Sequence, residues 1–184
     1  MSDVIINIQP TPNPNAFKFV LNKPVLSEGK ASYSTAEEAT GNQLATDLLN
    51  IPGVKQIHFF SNVITATMRF DADVDELQQS ITSVIHTRMN IHNPEFTKKD
   101  SVKAKRADLP EDVRAIEEIL DRTIRPGLQG DGGDLAIIKY ENNQLYVHYE
   151  GACGTCPSST TGTLMAIEGI LRDEFNPTIE VIPL

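Results

Sequence analysis

Residues 151–159 read GACGTCPSS, and this stretch decides how the second half of the chain is interpreted. The sequence before it has the pattern of a strand, and the sequence after Pro157 repeats apolar residues at helical spacing. Cys153 and Cys156 therefore lie at a predicted junction between a strand and a helix. Free backbone N–H groups and the helix dipole stabilise negative charge there, so the junction favours both thiolates.

The elements around the cysteines predict a small domain with the order α-β-β-α-β. Asn142 and Asn143 tolerate the left-handed backbone of a tight turn, so they predict a hairpin. The predicted elements are a helix that starts at residues 109–111 and ends at residues 126–127, strands at residues 135–141 and 144–150, a helix from Pro157, and a strand at residues 178–182.

The first half of the chain has the pattern of a separate α+β domain. Its predicted elements are strands at residues 5–9, 16–21, 54–59 and 63–70, a helix at residues 36–49, and a helix that Asp73 caps and that ends near residue 93. Apolar periodicity fades at residues 94–108, where five of the sixteen Lys and Arg residues lie. We therefore predict two small α+β domains, residues 1–93 and 109–184, joined by a linker at residues 94–108.

The charge and hydropathy of the chain exclude several classes of protein. The net charge is −9, and residues 109–184 hold thirteen acidic and five basic residues, which argues against a nucleic-acid partner. No stretch approaches the ~18 uncharged apolar residues of a membrane helix. Asp3 comes early and no Arg precedes Arg69, so a signal peptide or presequence is not indicated. These features predict a bacterial cytoplasmic protein.

The cysteine pair leaves several chemistries open. A thioredoxin-type dithiol would exchange disulfides, but it needs an early strand in a βαβ unit before the motif. Structural zinc needs two further ligands, and only His148 is close in sequence. His58, His86 and His92 lack metal-ligand spacing and are interpreted as packed or solvated side chains. An inert role as two small core residues is a further alternative.

An iron–sulfur cluster is the remaining chemistry, and it implies a second molecule. Such clusters generally require four thiolates, whereas one chain supplies two. A two-fold axis through the site would bring two copies of Cys153 and Cys156 together. The cluster would then lie at an exposed junction between protomers, from which it can be released.

Residues 130–134 (GDGGD), the hairpin and residues 151–159 together resemble the C-terminal domain of the NifU-like (Nfu) iron–sulfur scaffolds, over residues 109–184. Residues 11–19 (TPNPNAFKF) resemble the N-terminal domain that accompanies it. The resemblance implies that Cys153 and Cys156 bind a [4Fe–4S] cluster, one per homodimer. It also implies upstream cluster assembly machinery as the source and apo iron–sulfur proteins as recipients.

The glycines and aspartates of residues 130–134 have a predicted structural role. Gly130, Gly132 and Gly133 are expected to supply backbone positions with positive φ near the start of the hairpin. Asp131 and Asp134 are expected to cap or hydrogen-bond that turn.

Three residues of the cysteine loop have predicted contacts with the cluster. Gly154, Thr155 and Ser158 are interpreted as possible hydrogen-bond donors to its sulfurs, although Ser158 could equally serve the helix terminus. The first domain has no clustered Cys, His or carboxylates at catalytic spacing and no phosphate-binding loop. We therefore expect protein recognition there and no enzyme activity. The competing hypothesis is an enzyme with its site between the domains.

Overall fold

The computed structural model describes residues 3–96, 109–155 and 157–184, and these residues form two β-sheets. The first half of the chain forms a five-stranded sheet and the second half a three-stranded sheet. Each sheet has a hydrophobic core of its own. The α+β class is confirmed. Residues 97–108 of the predicted linker lie outside the described residues, so the domain boundaries stay a prediction.

The first sheet is built from antiparallel neighbours in the order β1-β2-β5-β4-β3. Its strands are β1 (Ile6–Pro10), β2 (Ala16–Leu21), β3 (Lys30–Tyr33), β4 (Val54–Phe60) and β5 (Val63–Met68). The sequence did not predict β3. Ala31 of this short strand lies opposite Phe59, so pairing with a distant segment, rather than a local pattern, makes it a strand.

Two helices, α1 (Gln43–Leu49) and α2 (Val74–Arg88), cover one face of the first sheet. The helix predicted at residues 36–49 begins only at Gln43. Gly41 has a φ of +94°, and the Asn42 side chain accepts a hydrogen bond from the Ala45 N–H, which fixes the start of the helix there. Asp73 caps α2 as predicted.

The second half contains two elements more than predicted, a short helix after the first one and a 3₁₀ helix. Its elements are α3 (Glu111–Thr123), α4 (Arg125–Gly130), β6 (Gly133–Glu141), β7 (Gln144–Gly151), a 3₁₀ helix (Ala152–Thr155), α5 (Pro157–Glu174) and β8 (Glu180–Pro183). Pro126 was expected to end a helix, but it lies in the first turn of α4, where its missing N–H costs no hydrogen bond.

The hairpin prediction is confirmed, because Asn142 and Asn143 have φ values of 51° and 62° between antiparallel β6 and β7. The last strand, β8, pairs with β7 in parallel. None of the helices in the described ranges is long and apolar enough to cross a bilayer.

The face of the first sheet opposite α1 and α2 is polar and is also buried. Side chains alternate along the strands, so His58 lies between the core residues Ile57 and Phe59 but points to the other side. We define the polar sheet face by the residues Lys18, Lys30, Ser32, His58, Thr65 and Thr67. Strands β4 and β5 contact β7, so the second domain covers this face.

Candidate metal centre at the cysteine turn

The 3₁₀ helix Ala152–Thr155, here named the cysteine turn, joins the end of β7 to α5. Cys153 is 8% exposed and packs in the core of the second sheet. Its predicted position between a strand and a helix is confirmed. Cys156 lies outside the described residues, as do the side chains of Thr155 and Ser158. The structure therefore places one of the two predicted ligands.

Gly133 makes room for the Cys153 thiol. Gly133 lies opposite Gly151 in the pairing of β6 with β7, and a Cβ atom added to Gly133 would overlap the Cys153 Sγ. Gly132 has a φ of +81°, which favours glycine. The prediction of positive φ is therefore right for Gly132 and wrong for Gly130 and Gly133. Gly133 is required by the close approach of sulfur instead.

Asp134 fixes the start of the hairpin, as predicted. Its carboxylate is 1% exposed and accepts hydrogen bonds from the Leu135 N–H at 2.7 Å and the Gln129 Nε2 at 3.1 Å. Asp131 contributes its backbone N–H to carbonyls in the last turn of α4 rather than a side-chain cap. The strand that carries Gly133 is thus held by a buried negative charge.

Arg125 neutralises that charge from within the second domain. Its guanidinium is buried, with Nε 3.3 Å from Asp134 Oδ1 and Nη1 2.5 Å from Glu117 Oε2, and it also pairs with Asp121. Buried charges are tolerated only when they are paired and hydrogen-bonded. Arg125 therefore ties α3, α4 and β6 into one unit behind the cysteine turn.

Tyr149 belongs to the same buried cluster as Cys153. Burial, with a smaller contribution from the neighbouring Cys153, raises the pKa of the Tyr149 hydroxyl to about 12, so this group stays protonated at neutral pH. The hydroxyl is buried and has no hydrogen-bond partner among the described residues. A metal-bound thiolate or a cluster sulfur at Cys153 would give this donor an acceptor, which fits the chemistry of a thiolate-ligated metal.

The first domain reaches the cysteine turn directly. Three of its side chains donate hydrogen bonds to backbone carbonyls at the ends of β7 and α4 and in the cysteine turn. These are Asn13 Nδ2 to the Ala152 carbonyl at 2.9 Å, Thr67 Oγ1 to the Gly151 carbonyl at 3.5 Å, and Lys18 Nζ to the Gly130 carbonyl at 2.5 Å. The Ala152 carbonyl immediately precedes Cys153, so the first domain holds the backbone next to the candidate ligand.

Lys30 is the main charged contact between the two domains. Its Nζ lies 2.7 Å from Glu150 Oε2 and 3.3 Å from Asp134 Oδ1, and it donates to the Leu135 carbonyl at 2.6 Å. The Lys30 and Glu150 side chains are only 12% and 17% exposed. Water screens such a pair much less than a surface pair, so its geometry matters to the docking of the two domains.

Two histidines illustrate the predicted roles, His58 as a packed side chain and His148 as a solvated one. His58 is buried, with Nδ1 2.7 Å from Ser32 Oγ, and burial lowers its pKa against the opposing effect of Glu150 and Asp134. His148 is exposed, and its Nδ1 lies 3.2 Å from the Leu184 carbonyl. The described part of the chain contains no group of three His, Cys, Asp or Glu side chains that could hold a metal ion.

Sequence reasoning missed the roles of Asn13, Lys30 and Arg125. Asn13 was assigned to a turn, and its carbonyl and carboxamide oxygens do accept hydrogen bonds within that turn, but its Nδ2 also crosses to the second domain. Arg125 carried a usable signal, because it follows Asp121 and Glu117 at spacings that permit contact near a helix end. The sequence around Lys30 carried no usable signal, since β3 itself was not predicted.

Two family models match the chain, one in each half. The model described as scaffold protein Nfu/NifU N terminal matches residues 6–92, and that of the NifU-like domain matches residues 116–182. NifU-like protein 4, mitochondrial, of Arabidopsis thaliana is 32% identical over 174 residues, which are 91% of this chain and 62% of that protein. The human NFU1 iron-sulfur cluster scaffold homolog, mitochondrial, is 33% identical over 171 residues, 92% of this chain and 67% of that protein.

The predicted bacterial cytoplasmic location is wrong, because these relatives are named as mitochondrial proteins. The prediction relied on the first residues of the chain. The chain spans 62% of the length of the Arabidopsis relative, so its beginning carries no conclusion about a leader segment. The two domain models in their expected order, together with the human relative, show that the chain belongs to the NifU-like (Nfu) family of iron–sulfur cluster scaffold proteins.

Proposed function

We propose that two copies of this chain hold one [4Fe–4S] cluster through Cys153 and Cys156, and that they pass it to apo iron–sulfur proteins. One observation carries the proposal. The cysteine turn lies in the part that matches the NifU-like domain, and Cys153 and Cys156 are the only two cysteines of the sequence. Because a cluster generally needs four thiolates, a second copy supplies the other two.

The position of the cysteine turn supports a carrier rather than an enzyme. An isologous junction between two copies leaves the cluster between subunits. Separation of the copies would break the two Fe–S(Cys) bonds to one of them, and thiolates of a recipient would take those positions and then replace the two remaining cysteines. In this proposal upstream assembly machinery supplies the cluster, recipient apo-proteins accept it, and the chain itself turns over no substrate.

The test is anaerobic reconstitution with ferrous iron and sulfide, followed by iron, sulfide and zinc analysis together with native mass spectrometry. We expect a dimer with about four iron and four sulfide ions. Cys153→Ser and Cys156→Ser should each abolish the cluster. Circular dichroism of the apo variants verifies that the fold is retained.

His148→Ala is the matched control, because His148 is the histidine nearest to the motif in sequence and is exposed. It should load as much iron as the wild type. Loss of iron in this variant would indicate a mixed ligand set. An iron-free monomer that cycles between dithiol and disulfide would overturn the proposal in favour of a redox protein, and stoichiometric zinc after reconstitution would overturn it in favour of a zinc site.

A further inference from the structure

The contacts between the two domains converge on the end of the second domain that carries Cys153. We define the cysteine end as residues 130–135 together with residues 150–155. Strand β5 contacts the cysteine turn, and β4 and β5 contact β7. Gln56 of β4 also lies near this turn. Its Oε1 is 3.8 Å from the point that a Cβ atom would occupy at Gly154, the residue that follows Cys153. The first domain therefore contacts the backbone on both sides of Cys153, at Ala152 and at Gly154, while Gly154 itself stays exposed.

This arrangement cannot coexist with a cluster shared between two copies at the same place. A shared cluster requires the thiolates of both copies to ligate one group of iron and sulfide ions, so the cysteine ends must face each other. Here the cysteine end faces the polar sheet face of its own chain. The Cys153 side chain packs in the core of the second domain, and the first domain holds its backbone through the Ala152 carbonyl. The first domain and a second copy would thus occupy the same surface of the second domain.

The contacts between the two domains are largely of a kind that can open and form again. The hydrogen bonds and ion pairs among them join groups that water can also satisfy. Carbon atoms of Lys18 and His58 also pack close to Gly132 and Gly151. Three buried polar atoms at this interface have no hydrogen-bond partner among the described residues: Gln56 Oε1, His58 Nε2 and Thr65 Oγ1. An unsatisfied buried polar atom disfavours the closed arrangement, and hydration on opening would relieve it.

We infer that the first domain is an intramolecular cap on the cysteine end, which competes with the second copy and moves away when the cluster is loaded. This inference rests on the proposed function, and it assigns to the first domain the regulation of that site. The apo chain is closed, with Asn13, Lys18 and Lys30 on the cysteine end. The loaded dimer is open, and the polar sheet face is then exposed to solvent.

Charge reversal at Lys30 tests the cap without altering a cysteine. Lys30→Glu places a carboxylate against Glu150 and Asp134, so it should open the apo chain. The measurement is the rate of alkylation of Cys153 by iodoacetamide, read by peptide mass spectrometry. We expect an increase of about tenfold for Lys30→Glu and also for Glu150→Lys. The double variant, which restores an opposite-charge pair, should label more slowly than either single variant.

Lys55→Glu is the matched control, because it makes the same charge change at an exposed position of the first domain. Its labelling rate should equal that of the wild type. Lys30→Gln removes the charge without adding a carboxylate. If Lys30→Glu does not fold, Lys30→Gln replaces it, with a smaller expected increase in the labelling rate. Equal labelling of the wild type and a folded Lys30 variant would overturn the cap.

Cluster loading separates this inference from the proposed function. In the reconstitution experiment Lys30→Glu should take up iron and sulfide faster than the wild type and reach the same content per dimer. Modification of His58 by diethyl pyrocarbonate, read by peptide mass spectrometry, should show a rise in rate on loading of the wild type, because His58 is buried in the closed chain. If the wild type and Lys30→Glu load at equal rates and no such rise is seen, the cap is overturned, whereas the proposal of a shared cluster still stands. Failure of both proteins to load iron would overturn the proposed function, while the labelling rates would still decide whether the first domain restricts access to Cys153.

Discussion

The two faces of the five-stranded sheet are buried to a similar degree, but by different kinds of atoms. On one face Phe19, Tyr33 and Phe59 are 0% exposed and pack with the helices α1 and α2. On the other, His58 and Thr67 are 1% and 0% exposed and face the second domain. Moving buried apolar side chains into water costs a large free energy. Water can instead replace the partners of polar groups when these become exposed. The first face therefore holds the domain together, and the second can open.

The largest effect is expected on the apolar face. Phe59→Ala removes a fully buried ring that packs edge-on against Tyr33 and His92, so it should lower the free energy of unfolding by about 3–5 kcal/mol. Chemical denaturation followed by circular dichroism measures this change. A loss below that of the polar-face variants described next would contradict the comparison between the two faces.

A smaller effect is expected from Asn13→Ala, which removes the hydrogen bond to the Ala152 carbonyl and also the one that Asn13 Oδ1 accepts from the Asn15 N–H. The net value of such a bond is about 1 kcal/mol, so alkylation of Cys153 should become about fivefold faster. Asn22→Ala serves as a control, because the Asn22 side chain accepts a hydrogen bond from the Ile5 N–H and donates one to the Asp3 carbonyl, both within the first domain. Equal acceleration in both variants would show that general loosening of the first domain, and not the contact with the cysteine turn, controls access.

The closed arrangement should open as the pH falls, because His58 is buried in the neutral form. Burial lowers its pKa, opposed by Glu150 and Asp134 and assisted by Lys30. On opening, the pKa returns toward the ordinary value of 6.5, so the open form binds the proton more readily below that pH. The stabilisation of the closed form is therefore present above pH 6.5 and is lost as the pH falls below it.

Small-angle scattering of the apo chain between about pH 8 and about pH 5.5 measures this dependence. The radius of gyration should rise at the acidic end for the wild type. His58→Gln, which cannot take up a proton in this range, should show a weaker rise. An identical profile in the two proteins would assign the transition to other groups.

The smallest effect is expected from Thr67→Val. The hydrogen bond from Thr67 Oγ1 to the Gly151 carbonyl is long, at 3.5 Å, so its loss should cost about 0.5 kcal/mol or less. The shape of the side chain is retained, and Cys153 should be alkylated at nearly the wild-type rate. A tenfold increase would show that the contact is tighter in solution than this geometry indicates.

The sequence predicted those features that depend on neighbours along the chain. Asn142 and Asn143 predicted the hairpin because a tight turn needs residues that tolerate positive φ, and Asp73 predicted the start of α2 because its side chain caps the helix. The cysteine turn was likewise placed correctly between a strand and a helix, since both flanking patterns are local.

The features that the sequence did not predict depend on distant contacts. Residues 30–33 become β3 only because β4 lies beside them, and with β3 the position of Lys30 was missed. The polar residues of β5 alternate in the manner of a solvated face, and no local pattern shows that a second domain covers them. Gly133 was assigned a backbone role, whereas its need for a hydrogen in place of a side chain comes from the Cys153 sulfur across the hairpin.

Strand β7 is the central strand of its sheet, paired with β6 on one side and with β8 on the other, and it leads directly into the cysteine turn. Amide hydrogens in a doubly paired central strand exchange with solvent only through the larger opening reactions of a domain. Residues 144–147, which are paired on both sides, should therefore be the slowest-exchanging segment of the second domain, and protection should decrease from there toward Cys153. The last residues of β7 pair with β6 alone, so the backbone that enters the cysteine turn is less restrained within its own sheet than the middle of that sheet.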